Sequence, residues 1–222
     1  RGCSPSRASR SPRGVARPAG STTPIAVSTS RAAAIAPPGG VQVLERCEGT
    51  VLDVGCGSGR LVAALAARGR CALGTDVSEA AVRHTVRSGG QALCRSVFER
   101  FPGEGRWGTL LLMDGDIGIG GDPGALLLRP ARLAAPAVLL VVETAPLDVD
   151  ERVRVQVVRA GGAVGSPSPR ARLGTSALLR CARRTGRRAV GPSVSGRRAG
   201  GASPPCAAAP RAPPRNRRTA GR

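Results

Sequence analysis

Residues 51–60 read Val51-Leu52-Asp53-Val54-Gly55-Cys56-Gly57-Ser58-Gly59-Arg60. Three apolar residues and one acid precede three alternating glycines, and an Ala-rich apolar stretch opens at Leu61. That order predicts a buried strand, a tight glycine loop and a helix start. Glycines lack the Cβ that would keep backbone away from a ligand. A helix start offers free N–H groups to an anion. The segment reads as the ligand-binding end of a βα unit.

The glycine spacing separates two kinds of βα unit. A dinucleotide fingerprint runs Gly-x-Gly-x-x-Gly. Here the spacing is Gly-x-Gly-x-Gly, with Asp53 two residues before the first glycine. The segment Asp53-Val54-Gly55-Cys56-Gly57-Ser58-Gly59 resembles the first motif of class I S-adenosylmethionine (SAM)-dependent methyltransferases. A glycine triplet alone is a weak signal in a chain with 31 Gly. Acid, strand and helix in register strengthen it against a dinucleotide fold and against a chance glycine loop. The resemblance is closest to small-molecule methyltransferases of actinobacterial type and covers about residues 45–145.

The resemblance implies a fold and a cofactor, SAM. The fold is a Rossmann-like α/β sheet with helices on both faces. Gly55, Cys56, Gly57 and Gly59 would bring backbone to the methionine end. Asp53 would answer its ammonium, or act indirectly by hydrogen bonds that hold the loop. Asp76, in Gly-Thr-Asp-Val-Ser, follows Gly55 by 21 residues. That matches the roughly 20-residue offset at which an acid meets a ribose hydroxyl; helix capping is its plainer role. After the third strand comes Cys94-Arg95-Ser96-Val97-Phe98, without an acid. Ser96 would meet the adenine, Val77 and Val97 would sandwich it, and Phe98 reads equally as core or ring neighbour.

The loop Met113-Asp114-Gly115-Asp116-Ile117-Gly118 lies beside the transferring methyl in this family. It carries neither the Asn/Asp-Pro-Pro-aromatic motif of amino-methylating enzymes nor a Pro-Cys nucleophile. The sulfonium methyl is already activated, so positioning provides much of the catalysis. A base is needed only for a protonated acceptor. Asp116 and Asp114 are the candidates, with Glu143 behind them. Acids in a Gly-rich loop also shape turns.

The formal charge of the 222 residues is +20. It is unevenly placed: residues 49–160 hold 13 Arg against 12 acids, and residues 161–222 hold 14 Arg and no acid. Every basic residue is Arg, with no Lys, no Tyr and two Phe. That is the signature of a GC-rich genome more than of nucleic-acid binding, which recruits aromatic stacking. Seven Cys, an odd number with no Cys-x-x-Cys, and the single His84 argue against structural zinc and a disulfide framework. No metal site is expected, and the cysteine usage fits a reducing cytoplasm. No apolar run approaches the roughly 18 residues of a membrane span. The chain opens on Arg1, which suggests a start upstream.

Residues 1–40, rich in Arg, Ser and Pro, are expected to be disordered; their six Arg without acid also resemble a transit peptide. Residues 41–195 are expected to form the methyltransferase domain. Strands are expected at 50–54, 71–75, 92–94, 109–113, 137–142 and 152–158, the last parallel or antiparallel, with a weak one at 189–195. Helices are expected at 59–68, 78–87, 123–133 with a break at Pro130, and 176–184. Residues 196–222 form an expected disordered tail. In this family a late antiparallel hairpin closes the sheet, and its second arm would fall near 196–205. Gly196-Arg197-Arg198-Ala199-Gly200-Gly201 is no core strand, so the C-terminal strands are expected to be incomplete, or the coding frame disturbed.

Three functions compete. The first is transfer of a methyl group to a small-molecule acceptor by direct displacement. The second is a non-catalytic, degenerate methyltransferase-like chain, suggested by the acid-free end and by the absence of Phe, Trp and Tyr from 108 to 222. The third is an RNA methyltransferase anchored by basic tails.

Overall fold

The computed structural model describes residues 24–29, 43–157 and 165–190. The order along the chain is β1 (Pro24–Thr29), a helical turn α1 at 43–46, β2 (Val51–Val54), α2 (Arg60–Ala66), β3 (Ala72–Asp76), α3 (Glu79–Arg87), β4 (Ala92–Cys94), β5 (Trp107–Leu112), α4 (Pro123–Leu128), α5 (Pro130–Leu133), β6 (Ala134–Thr144), β7 (Asp150–Val155), β8 (Ser168–Leu173), α6 (Thr175–Arg184) and β9 (Arg188–Val190). Seven strands form one sheet in the order β4-β3-β2-β5-β6-β1-β9, and every pairing in it is parallel.

The central strands are apolar on both faces because helices cover both. Leu52, Val54, Leu110, Leu112, Leu140 and Val142 point to one face, where they join Leu126, Leu127, Leu133 and Leu178 from α4, α5 and α6. Val51, Leu111 and Val141 point to the other and meet Val43, Leu44, Leu61 and Leu65 from α1 and α2. The two-residue alternation of strand side chains divides them this way. Leu52, Leu65, Leu111, Leu127 and Leu140 are fully buried, each stabilising the fold by about 1.5–3 kcal/mol.

Several elements begin and end where their residues dictate. The Ser78 side chain accepts from Ala81 N and caps α3. Asp122 does the same for α4 through Ala125 N, with Pro123 at the first helical position, where no N–H is needed. Pro130 separates α4 from α5.

Two expectations are corrected, the disorder of 24–29 and the missing partner strand of β7. Residues 24–29 form a strand paired with β6 and β9, where disorder was expected; the rest of 1–40 lies outside the described residues, as does 196–222. The main sheet continues beyond β6 through β1 and β9, both parallel, and among the described residues no antiparallel strand joins it. The antiparallel pair is β7–β8, a separate two-stranded sheet. Its second strand was not expected, because Ser-Pro-Arg-Ala-Arg-Leu buries only Ala171 and Leu173, too short an alternation to stand out. Cys71 is disulfide-bonded, while Cys47, Cys56, Cys94 and Cys181 are free thiols. No helix among the described residues is long and apolar enough to cross a membrane.

Candidate active site

The winding of the sheet reverses at β2. The chain runs from β2 to β3 and β4 on one side, then crosses back to β5 and β6 on the other. Ligand crevices in open α/β sheets form at such a reversal, beyond the carboxyl ends of the strands. Asp53, Asp76, the 113–121 loop and Glu143 all lie at those ends.

The glycines of the loop have different jobs. Gly55, Gly57 and Gly59 all have positive φ, at 77°, 54° and 73°. A Cβ on Gly57 would meet only the Gly55 carbonyl at 3.8 Å, so its outer face is open. A Cβ on Gly55 would come within 2.6 Å of the Asp116 carboxyl carbon, and one on Gly59 within 2.3 Å of Thr85 Oγ1. Gly59 thus serves the packing of α2 on α3. Cys56 turns inward, its thiol filling the space a Gly74 side chain would need. Burial pushes that thiol up to about 11, so it is protonated and unreactive at neutral pH.

From α3, the Thr85 hydroxyl lies 3.3 Å from the Gly57 carbonyl, and His84 Nδ1–H donates to the Ser58 carbonyl at 3.0 Å. These contacts hold the loop's carbonyls toward α3. Neither residue stands out in sequence, since a helical Thr or His has no spacing signature.

Asp76 closes β3 and accepts Gly57 N–H on Oδ2 at 3.1 Å and Ser78 N–H on Oδ1 at 2.8 Å. Each carboxylate oxygen keeps a further lone pair. Val77 beside it is 74% exposed, an apolar surface with no protein neighbour covering it. Ser96 accepts Phe98 N–H at 3.3 Å. Val97 is corrected: it is buried in the core beneath the sheet's edge and offers no surface to a ring. Phe98 instead stands half-exposed, with its ring edge against Gly120.

Three acids at these strand ends are buried, Asp53, Asp116 and Glu143, and the first two are strongly shifted. Asp53 is 3% exposed, and its carboxylate has no hydrogen-bond or ion-pair partner among the described residues. The expected hydrogen bonds from Asp53 to the glycine loop are therefore absent from the described residues. Burial pushes its pKa up to about 7; Asp114 adds to the rise and Arg60 opposes it. Asp116 is also buried, and burial pushes it up to about 8 against the pull of Arg170. Arg170 Nη1 reaches Asp116 Oδ1 at 3.4 Å. The guanidinium is partly solvated, so burial outweighs the pair and Asp116 is largely protonated near neutral pH.

Asp114 behaves differently. It occupies positive φ, 51°, its N–H donates to Glu143 Oε2 at 2.6 Å, and its carboxylate takes both contacts of Arg60 Nη2 at 2.6 and 2.7 Å. Of the two candidate bases, Asp116 is buried beside the glycine loop, whereas Asp114 is solvent-facing and committed to Arg60. Arg170 and Arg60 are site residues that sequence reading missed; in a chain with 34 Arg, neither is distinguishable without coordinates.

Residues 51–100 match the family described as "Methyltransferase domain". Among solved structures, the chain is similar to a SAM-dependent methyltransferase from Bacteroides fragilis in complex with S-adenosyl-L-homocysteine (SAH), with TM-score 0.51 and 19% identity over 66% of this chain and 67% of that one. It is also similar to a sugar N-methyltransferase from Streptoalloteichus, with TM-score 0.45 and 16% identity over 65% and 74%. No curated protein sequence matches the chain.

Proposed function

We propose, from a chain that carries a methyltransferase domain at 51–100 on the fold of class I SAM-dependent methyltransferases, that it methylates a small-molecule acceptor by direct displacement. The observation that carries this reading is Asp53: an acid only 3% exposed, with no hydrogen bond or ion pair to another described residue, at the switch of the sheet, beside a glycine loop. An unpaired buried acid is costly, and a cationic ligand relieves that cost.

The residues fit SAM. The open face of Gly57 admits close backbone contact, and Asp53, part-ionised near pH 7, offers negative charge to a cationic amino acid end. Asp76 keeps lone pairs for vicinal hydroxyls, and Val77 and Phe98 offer apolar surface to an adenine. When bound, SAM supplies an electrophilic sulfonium methyl. The glycine loop orients it. Asp116 Oδ, ionised above about pH 8, takes the proton of an O–H or N–H acceptor; a deprotonated acceptor needs no base.

Calorimetric titration of the full chain with SAM and SAH tests this. Saturable one-to-one binding, lost in Asp53→Ala and Asp76→Ala, is expected. A folded, monodisperse sample that binds neither would overturn the reading in favour of a methyltransferase-like chain without activity.

A further inference from the structure

The β7–β8 hairpin stands outside the main sheet yet is fastened to the candidate base. Arg170 of β8 forms an isolated antiparallel bridge with Ile119. A Cβ on Gly118 would lie 1.9 Å from the Ala171 carbonyl oxygen, and one on Gly121 would lie 3.0 Å from Pro169 Cβ. The two glycines let the hairpin backbone press directly onto the loop after β5. This fixes Arg170 relative to Asp116, and Asp116 relative to Gly55.

Arg170 differs from Arg152 and Arg172 of its hairpin, and from Arg154, which among the described residues reaches only the Pro167 carbonyl at 3.4 Å. Arg152 pairs with Asp150 at 2.8 Å, and Arg172 with Glu151 at 3.1 Å. The hydrogen bond from Arg152 lowers the Asp150 carboxyl below its ordinary value, and both acids lie on the surface. The ion-pair partner of Arg170 among the described residues is Asp116, through one contact at 3.4 Å. That acid is the one burial keeps largely protonated. The guanidinium has five N–H donors in a planar fork and its side chain is 39% exposed. It is a cation held in place at the site with most of its donors uncommitted.

We infer that Arg170 selects the acceptor: it clamps an anionic oxyacid group, carboxylate or phosphate, on the molecule to be methylated. The inference rests on the methyltransferase reading above. The hairpin fastening supplies a rigid position, and the fork geometry matches a two-oxygen anion. With the acceptor's anion on Arg170, its nucleophile stands on the Asp116 side, where a proton can be taken.

The test uses the full chain loaded with SAH, titrated with benzoate, benzamide and phenyl phosphate. Benzoate and benzamide differ little in shape but differ in charge. Benzoate or phenyl phosphate is expected to bind at least tenfold more tightly than benzamide, and the stronger of the two identifies carboxylate or phosphate as the recognised group. Arg170→Gln is expected to erase the preference while SAH still binds. Arg170→Lys, which keeps the charge, retains part of it, and Asp116→Asn retains it as well. Benzamide binding as well as the anions, no probe binding at all, or a preference that survives Arg170→Gln would each overturn the inference. A folded parent that does not load SAH would instead overturn the methyltransferase reading on which it rests.

Discussion

The Asp116 carboxyl group lies directly on the backbone of Gly55: a side chain there would begin 2.6 Å from the carboxyl carbon, at φ +77°. The loop after β5 and the loop after β2 are thereby joined at one point. Gly55→Ala is expected to destabilise through two separable terms. Positive φ in a non-glycine residue costs on the order of 1–3 kcal/mol, and displacing the carboxyl group adds to it. In an Asp116→Ala background the second part disappears. A double-mutant cycle by urea denaturation should show the pair to be coupled. Strict additivity of the two substitutions would refute the contact.

The two raised acids predict an unusual pH dependence of stability. Asp53 and Asp116 move from 3.8 to about 7 and about 8. The folded chain therefore binds protons that the unfolded chain has released. Their contribution is complete below about pH 4 and is lost as pH rises through 7 and 8. Stability without cofactor should fall between pH 5.5 and 8.5, on the order of a few kcal/mol. Asp53→Asn and Asp116→Asn should each flatten the slope. Equal denaturation midpoints at the two pH values would mean that neither acid is protonated in the folded state.

The legible part of this chain is the part whose signals are local. The strand-glycine-helix order at 51–66, Asp76 at the end of β3, the Ser78 cap and the Pro130 break all follow from neighbouring residue types. β1 was hidden because its six residues lie in a Pro/Ser/Thr-rich context and pair with β6 and β9, both far away in sequence. β8 was hidden because Pro169, Arg170 and Arg172 mask two inward residues. Val97 was misplaced because a three-residue strand gives too little alternation to say which side chain faces the core. The ion pairs of Arg60 and Arg170 are tertiary contacts between segments 54 residues apart in each case. No spacing rule encodes them.

Asp114 holds a strained conformation and an exposed ion pair together, and the two nearly cancel. The pair with Arg60 is about half-exposed on both sides, and such pairs contribute about 0–1 kcal/mol. Glycine at the same φ would remove about 1 kcal/mol of strain. Asp114→Gly should therefore leave the denaturation midpoint within about 1 kcal/mol of the parent, and Asp114→Val should cost more. A loss above about 2 kcal/mol in the glycine variant would show that the carboxylate organises the loop more strongly than its exposure indicates.

Cofactor binding should release protons. Before binding, Asp53 near pH 7 is part-protonated and Asp116 largely so. A cation placed beside them favours their ionised forms, because an opposite charge within several ångströms lowers a carboxyl pKa. The affinity for SAM should then rise from pH 6 to pH 8.5, with on the order of one proton released per site near pH 7. Titrations at pH 7 in phosphate and in Tris expose this, since the two buffers take up protons with different enthalpies. The apparent binding enthalpies should differ between the buffers, and the difference should shrink in Asp53→Asn and in Asp116→Asn. Identical enthalpies in both buffers, with tight binding, would place the cationic end of the cofactor away from this acid pair.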